Sequence, residues 1–184
     1  WGWDNQQQVS GTPATTEFST ISASWDSTCG LRSDNGEIDC WGDDSNLMDS
    51  SQGSPNYALS DIEVNHKGAV GIKESDGQVV AWGYDLVGWN RTGAYPSTTT
   101  APFPTIYGAR AVGMARFTGC AANATGQVDC WGHQGNYYGD PTEVIPGVYQ
   151  DVIGAYNNFC GLTVYGRVNC WGPDEYGETN PPSH

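Results

Sequence analysis

Six cysteines, arranged as three close pairs, are the residues of this 184-residue chain whose spacing most clearly indicates chemistry. The pairs are Cys29 with Cys40, Cys120 with Cys130, and Cys160 with Cys170. Paired thiols form disulfides or bind zinc, but no pair has the Cys-x-x-Cys spacing that is typical of zinc sites. The three histidines, His66, His133 and His184, also occupy unrelated positions of the repeat described below. We therefore expect disulfides, no metal site and no other cofactor.

A second candidate chemistry is acid–base catalysis by carboxylate pairs that follow the dipeptide Trp-Gly, namely Asp43 with Asp44 and Asp174 with Glu175. One aspartate position of this segment recurs along the chain, as Asp4, Asp44, Asp85 and Asp174. Recurring residues usually belong to the scaffold, because one active site needs different groups at different places. We predict that these aspartates accept hydrogen bonds from the backbone that follows them. Since the chain also lacks nucleophile-elbow, phosphate-loop and His-Glu-x-x-His motifs, we expect it not to be an enzyme.

Four dipeptides at one position of the repeat differ from one another while their surroundings stay constant. They are Trp25-Asp26, His66-Lys67, Arg116-Phe117 and Tyr156-Asn157. Trp, Tyr and Arg are enriched at the centres of protein interfaces, and aromatic rings also stack on sugars. We predict that the dipeptides lie on equivalent loops and form the binding surface. The alternative is that they fill gaps between neighbouring repeats.

The elements that must position these residues come from a repeat marked by Trp-Gly. It begins at Trp1, Trp41, Trp82, Trp131 and Trp171, with spacings of 40, 41, 49 and 40 residues. A period near 40 is typical of propellers and solenoids, in which each unit buries an apolar face against the next. It divides a single repeat domain, 1–184, into repeats 1–40, 41–81, 82–130 and 131–170 and a partial repeat 171–184. The extra residues of the longest repeat, around 88–105, are expected to form a surface loop.

Alignment of the repeats on Trp-Gly indicates one hairpin in each of them. One aligned position is apolar in every repeat and predicts a strand; it holds Ile21, Ile62, Val112 and Val152. Another is always glycine and predicts a turn with positive φ; it holds Gly36, Gly77, Gly126 and Gly166. The cysteines occupy two facing positions of this hairpin, and in the second repeat Val70 and Ala81 replace both. Six cysteines allow 15 pairings, and this joint replacement selects the three links within hairpins. The 25 Gly and 10 Pro residues agree with short strands and tight turns, and hence with an all-β fold.

The charge of the chain limits its partners. With 21 Asp and Glu against seven Lys and Arg, the formal net charge is −14, which repels phosphate backbones and excludes nucleic acid as an expected partner. No stretch approaches the roughly 20 apolar residues of a membrane-spanning helix, so we expect no membrane insertion. Disulfides persist in oxidising compartments, which predicts a secreted or cell-surface location. The sequons at Asn90 and Asn123 agree with glycosylation there.

The hairpin resembles a known repeat. Its first copy runs from Thr28-Cys29-Gly30-Leu31 to Cys40-Trp41-Gly42, and its last from Phe159-Cys160-Gly161-Leu162 to Cys170-Trp171-Gly172. Both resemble the repeat of the regulator of chromosome condensation family, and most closely its short-repeat secreted branch, which includes a beta-lactamase inhibitor protein. The resemblance covers essentially the whole chain and implies a β-propeller with about four antiparallel strands per blade. Propellers with seven blades are familiar in that family, so the resemblance does not decide whether four repeats close a ring within one chain.

These observations predict an all-β, propeller-like array that acts as an extracellular, non-enzymatic module for protein–protein interaction or for self-assembly, for example as a filament or a surface structural protein. The alternatives are a carbohydrate-binding lectin and, after it, an enzyme inhibitor or a hydrolase, since one propeller fold hosts many functions. Self-association is expected because residues 1–14 and 171–184 occupy the same phase of the repeat. A four-repeat ring has one slot for them, so the carboxy-terminal segment of one copy is expected to pair with the amino-terminal repeat of the next. The other interpretation is that the sequence is a segment of a longer array.

Overall fold

The computed structural model describes residues 2–43, 55–65, 68–83, 100–101, 105–115, 118–133, 145–174 and 177–180. Within these residues the chain is all-β, as the sequence predicts. The strands are β1 Phe18–Ala23, β2 Ser27–Arg32, β3 Ile38–Gly42, β4 Leu59–Val64, β5 Gly68–Lys73, β6 Val79–Gly83, β7 Thr100–Ala101, β8 Ala111–Met114, β9 Thr118–Ala122, β10 Val128–His133, β11 Tyr149–Gly154, β12 Phe159–Thr163 and β13 Val168–Trp171.

The described strands form four antiparallel sheets, which we call blades 1 to 4. Blade 1 has the order β1-β2-β3, blade 2 the order β4-β5-β6, and blade 4 the order β11-β12-β13. Blade 3 has the order β7-β10-β9-β8 and therefore carries a fourth, outer strand. About four strands per blade were expected, whereas the described part of blades 1, 2 and 4 contains three. In blades 2 and 4 the segments that correspond to β7, at 44–54 and 134–144, lie outside the described residues.

The predicted hairpin is present in every blade. Its turn glycines, Gly36, Gly77, Gly126 and Gly166, have φ values of 68°, 66°, 81° and 76°. The strand registers place Cys29 opposite Cys40, Cys120 opposite Cys130 and Cys160 opposite Cys170, and Val70 opposite Ala81. All three disulfides are formed, with Cα–Cα distances of 4.1, 4.0 and 4.0 Å. Both the turn chemistry and the pairing of the cysteines are therefore confirmed.

The first strands of the blades, β1, β4, β8 and β11, lie side by side along the middle of the array. Three of them contain an irregularity in register, located between Phe18 and Thr20, between Leu59 and Asp61, and between Tyr149 and Asp151. An extra residue at a bulge lets side chains three positions apart point to the same face of the strand. Leu59 and Ile62 consequently enter the same apolar cluster.

The core of the molecule lies between blades. Cys29 and Leu31 of blade 1 pack with Leu59 and Ile62 of blade 2. The same arrangement recurs at the next two junctions, where Val70 and Ile72 meet Val112 and Met114, and Cys120 and Ala122 meet Val152 and Phe159. Because each blade buries its apolar face against a neighbour, its stability depends on having one.

Candidate functional site

The four predicted dipeptides fall between the first and second strands of their blades. In each blade, the N–H of the residue before the dipeptide donates to the C=O of the residue after it. These bonds are Ser24 N to Ser27 O at 2.8 Å, Asn65 N to Gly68 O at 2.8 Å, Ala115 N to Thr118 O at 2.9 Å, and Ala155 N to Asn158 O at 2.9 Å. Trp25-Asp26 and Tyr156-Asn157 are described, whereas His66, Lys67, Arg116 and Phe117 lie outside the described residues. We call the end of the molecule that carries these four loops the loop face.

A cavity of about 280 Å³ opens between described residues of the four blades that lie in or directly before these loops. Each blade contributes to its lining, with Trp25, Asn65, Met114 and Tyr156 among the residues. The rings of Trp25 and Tyr156, which come from blades 1 and 4, stack with centroids 6.3 Å apart and an interplanar angle of 13°. Trp25 is 71% exposed and Tyr156 is 51% exposed. Both rings are therefore largely open to solvent at the edge of the cavity.

Hydrogen bonds within and between the blades fix the loops of the loop face. The side chain of Asn65 donates from Nδ2 to Ala115 O at 3.0 Å and accepts at Oδ1 from Gly68 N at 2.8 Å, so it ties the loops of blades 2 and 3 together. The carbonyl of Asp26 accepts from Asp43 N at 2.7 Å. Asn157 is only half-exposed, and its Oδ1 is buried without a hydrogen-bond partner among the described residues. Of the four described dipeptide residues, the two aromatic ones dominate the exposed surface.

Two carboxylates on β4 that sequence reasoning missed lie between blades. Asp61 accepts hydrogen bonds at Oδ1 from Ile62 N at 2.9 Å and at Oδ2 from Val112 N of blade 3 at 3.2 Å. Glu63 accepts a hydrogen bond from the hydroxyl of Ser22 in blade 1. Burial is the main cause that raises the pKa of Asp61 to about 6 and that of Glu63 to about 7, and repulsion from neighbouring carboxylates, Asp151 for Asp61 and Asp61 with Asp151 for Glu63, contributes to these values. The only available signal was their alternation around the apolar Ile62 in a predicted strand.

The recurring aspartates have the predicted turn role wherever the structure describes them. Asp4 Oδ1 accepts from the backbone N–H groups of Val9 and Ser10, both at 2.9 Å, and these bonds lower the pKa of Asp4. Asp174 Oδ1 accepts from Thr179 N at 3.0 Å, which likewise lowers the pKa of Asp174. The prediction is therefore confirmed for these two, while Asp44 and Asp85 lie outside the described residues.

The other site predictions concern modification and metal binding. Asn123 lies on the hairpin between β9 and β10, where its Oδ1 accepts from the backbone N–H of Thr125 at 3.0 Å and from its hydroxyl at 2.7 Å. Asn90 lies outside the described residues, and glycosylation of either asparagine stays a prediction. Within the described part of the chain, no group of three His, Cys, Asp or Glu side chains is placed to hold a metal ion. The same residues contain no helix long and apolar enough to cross a membrane.

Comparison with known proteins identifies the repeat. Residues 18–46 match the family model described as the regulator of chromosome condensation (RCC1) repeat. A search of curated protein sequences finds no match to the chain. Residues 18–46 therefore match an RCC1 repeat, and the described blades adopt a β-propeller fold.

Solved structures of larger propellers support this fold. The CRINKLY WD40 ectodomain of the Arabidopsis thaliana receptor kinase ACR4 aligns with a TM-score of 0.61 and 20% identity, over 86% of this chain and 51% of that one. Human WBSCR16 aligns with a TM-score of 0.62 and 17% identity, over 90% of this chain and 50% of that one. Prp20p from Saccharomyces cerevisiae aligns with a TM-score of 0.65 and 11% identity, over 92% and 48%. The chain thus spans about half the length of the propellers that it resembles.

Proposed function

We propose that the chain is a non-enzymatic, extracellular module for protein–protein interaction, including association with further copies of itself, and that its partner-binding surface is the loop face. The observation that carries this proposal is the stacked, exposed pair of Trp25 and Tyr156 at the mouth of the cavity. Rigid aromatic side chains supply large contact areas at a low cost in conformational entropy, which is why they dominate binding energies at interfaces.

The relatives agree with a role in protein interaction. The structure of Prp20p is described together with its binding properties to Gsp1p and histones, and yeast RCC1 has also been solved bound by Kap60. The net charge of −14 on the present chain disfavours acidic partners and favours basic ones. An extracellular location is supported by the three disulfides and by the receptor ectodomains among the similar structures.

The non-enzymatic part of the proposal rests on what the buried carboxylates do. Asp61 and Glu63 have the raised pKa values that are common among catalytic acids. Their oxygens, however, accept hydrogen bonds from Val112 and Ser22 of the neighbouring blades. A structural role between blades accounts for their burial and for their pKa values, with no substrate invoked.

Carbohydrate binding is the second candidate function. Its supporting observation is that exposed, nearly parallel rings lie beside polar groups of Ser24 and Asn65 at the edge of the same cavity. Sugars bind by placing their apolar faces on aromatic rings while their hydroxyls meet such polar groups. Both functions use the loop face, so one set of variants separates them from each other and from a packing role.

The test compares the wild-type chain with the double variant Trp25→Ala/Tyr156→Ala in quantitative affinity mass spectrometry on extracellular proteins and in binding to a glycan array. We expect loss of at least about tenfold in affinity for a protein partner, because an interface hot spot contributes about 2 kcal/mol or more. Tyr107→Ala removes an exposed aromatic side chain outside the loop face and is the matched control.

The melting temperature distinguishes a binding role of Trp25 and Tyr156 from a role in packing the blades. Because both rings are largely exposed, the double variant should melt close to the wild-type temperature. A collapse in the melting temperature would show that the rings pack the blades, and binding that survives the double variant would place the contact surface elsewhere. Glycan binding that is lost in the double variant, with no protein partner detected, would favour the lectin.

A further inference from the structure

Blade 2 is joined to both neighbouring blades by ionisable side chains that lie next to the loop face. At the junction with blade 1, the hydroxyl of Ser22 donates to Glu63 and accepts from Val64 N at 3.0 Å. Ser22 is itself buried, at 7% exposed. Val64 and the following Asn65 line the cavity of the loop face. The hydrogen bonds between β1 and β4 therefore end at a residue of the cavity itself.

The junction with blade 3 contains a second carboxylate. Asp61 accepts from Ile62 N of its own strand at 2.9 Å and from Val112 N of β8 at 3.2 Å. Val112 lies two residues before Met114, which lines the same cavity. Two carboxylates of one strand, β4, thus hold the first strands of three blades together beside the cavity.

The junction between blades 3 and 4 is built differently at the equivalent position. Gly113 of β8 occupies the position of Glu63 in the repeat. A Cβ on Gly113 would lie 3.0 Å from Val152 O of β11, and a Cβ on Gly154 would overlap the backbone of Met114. The close approach of two backbones joins these blades. At these positions, the junctions of blade 2 depend on ionisable side chains and the junction between blades 3 and 4 does not.

The charged groups that act on the two carboxylates within the described residues are themselves carboxylates. Asp61 and Asp151 of β11 repel Glu63, and Asp151 also repels Asp61. The strands β1 and β8 contain no ionisable side chain. On β5, which pairs with β4, the ammonium of Lys73 donates to Gln78 Oε1 at 2.7 Å. Ionisation of the pair therefore places like charges in a buried junction.

We propose that blade 2 is a pH switch for the loop face. With Asp61 and Glu63 protonated, β4 stays against β1 and β8 and the cavity keeps its shape; with both ionised, β4 moves away from its neighbours and the cavity widens. The inference rests on the proposed function for its use, because it assigns a regulator to the same surface. Partner binding at the loop face should accordingly be stronger at about pH 5 than at about pH 8.

The direction of the switch follows from linkage. In the packed state, burial and, to a smaller extent, repulsion raise the pKa of Asp61 to about 6 and that of Glu63 to about 7. In the widened state water reaches both groups, so their pKa values fall back toward the ordinary ones. A pKa that is higher in the packed state favours that state at low pH, and the advantage is lost as the pH rises through about 6 to 7. Each unit of difference shifts the equilibrium between the two states about tenfold.

The test observes the loop face without any partner, by fluorine NMR of the chain labelled with fluorotryptophan. Trp25 lies three residues after Ser22, and its resonance is assigned by its loss in Trp25→Phe. We expect this resonance to shift with a midpoint between about pH 6 and about pH 7. Trp3, which is 84% exposed in the amino-terminal segment, is the control within the same sample and should not follow this curve.

Variants of the two carboxylates assign the shift. In Glu63→Gln/Asp61→Asn the Trp25 resonance should keep its low-pH position at every pH, whereas Glu37→Gln, at an exposed carboxylate, should titrate like the wild-type chain. Ser22→Ala gives a second test that keeps both carboxylates. The bond from Ser22 lowers the pKa of Glu63, so its removal should move the midpoint to higher pH.

Hydrogen exchange measures the opening itself. Exchange of Val64 N–H, which is bonded to Ser22, should accelerate between about pH 5 and about pH 8 by at least about tenfold more than its intrinsic pH dependence. In the double variant this excess should disappear.

The outcomes separate the switch from the proposed function. A Trp25 resonance that does not titrate, that titrates equally in the double variant, or that moves together with every other tryptophan resonance overturns the switch. A midpoint that Ser22→Ala leaves unchanged overturns the role of Glu63. If the resonance titrates but partner affinity is equal at both pH values, the regulatory role is refuted and the binding surface stands. If the resonance titrates and Trp25→Ala/Tyr156→Ala binds as well as the wild-type chain at about pH 5, the proposed binding surface is refuted and the structural switch stands.

Discussion

Asp61 and Glu63 are the residues whose chemistry depends most on their surroundings. Each lies on β4 and bonds to a different neighbouring blade, through Val112 and Ser22. Their ordinary pKa values of 3.8 and 4.5 are raised to about 6 and about 7, chiefly because burial disfavours the charged form. The folded chain therefore binds protons at these two groups more tightly than the unfolded chain does.

This difference predicts a pH-dependent stability. A pKa that is raised on folding contributes stability that is fully present below the unfolded value and is lost as the pH rises through the folded value. We expect the free energy of unfolding to fall by about 2 to 4 kcal/mol between about pH 5 and about pH 8, since one pKa unit corresponds to about 1.4 kcal/mol. Urea titrations at a series of pH values measure this fall in the free energy of unfolding.

Neutral variants of the same shape test the assignment. The double variant Glu63→Gln/Asp61→Asn keeps hydrogen-bond acceptors for Ser22 and Val112 but removes the titrating groups. Its free energy of unfolding should therefore change less with pH than that of the wild-type chain. Glu37→Gln changes an exposed carboxylate and is the control. If the free energy of unfolding of the double variant falls with pH as much as that of the wild-type chain, other groups cause the pH dependence.

The turn glycines provide a second prediction at this scale. Gly166 has φ +76° and open space around the position of a Cβ, whereas a Cβ on Gly77, at φ +66°, would lie 2.6 Å from the Cα of Gly108. Gly166→Ala should destabilise by about 1 to 2 kcal/mol, the usual cost of a left-handed conformation, and Gly77→Ala should cost more because the backbone must also move. Chemical denaturation of both variants measures the difference. Equal costs would mean that Gly108 moves away without penalty.

The hairpin is the element on which each blade is built. Three hairpins carry a disulfide, and the fourth has Val70 opposite Ala81. Val70 is fully buried between blades 2 and 3, so apolar packing stabilises that hairpin where a disulfide does so elsewhere. Each disulfide closes a loop of about ten residues and by chain entropy should stabilise the fold by roughly 2 to 3 kcal/mol.

Burial predicts the order in which the disulfides are reduced. Cys29 and Cys120 are fully buried by the following blade, whereas Cys160 and Cys170 of blade 4 are both half-buried. Limited reduction with mass-spectrometric mapping should open Cys160–Cys170 first, and only links within hairpins should be found. A cross-blade link, or first reduction of Cys29–Cys40, would contradict the prediction.

At the scale of the whole molecule, net charge opposes association. Each copy carries a formal charge of −14, so two copies repel each other most strongly when salt is scarce. Raising the salt concentration from about 0.01 M to about 0.15 M shortens the Debye length from about 30 Å to about 8 Å. We expect self-association to strengthen over this range, as measured by sedimentation. Self-association that weakens as salt is added would indicate contacts held by opposite charges.

The local features of this protein were predictable from its sequence. The hairpins were predicted from the spacing of Trp-Gly and from the glycine that stands four residues before the Cys or Ala preceding each Trp-Gly. The disulfides were predicted from the joint replacement of a cysteine pair by Val70 and Ala81. The turn role of Asp4 and Asp174 followed from their recurrence. These features depend on residues close together in the chain, where a fixed number of bonds limits which atoms can meet.

Only the tertiary structure decided which faces of the strands are buried. Ile21 and Ile62 are the same residue type at the same position of the repeat, and one is exposed while the other is buried, because burial depends on whether a neighbouring blade is present. Bulges on the first strands shift the alternation of side chains, so a period of two could not place Leu59 and Ile62 on one face. The contact between Trp25 and Tyr156 joins residues 131 positions apart, and it exists because the two intervening blades bring the loops of blades 1 and 4 together.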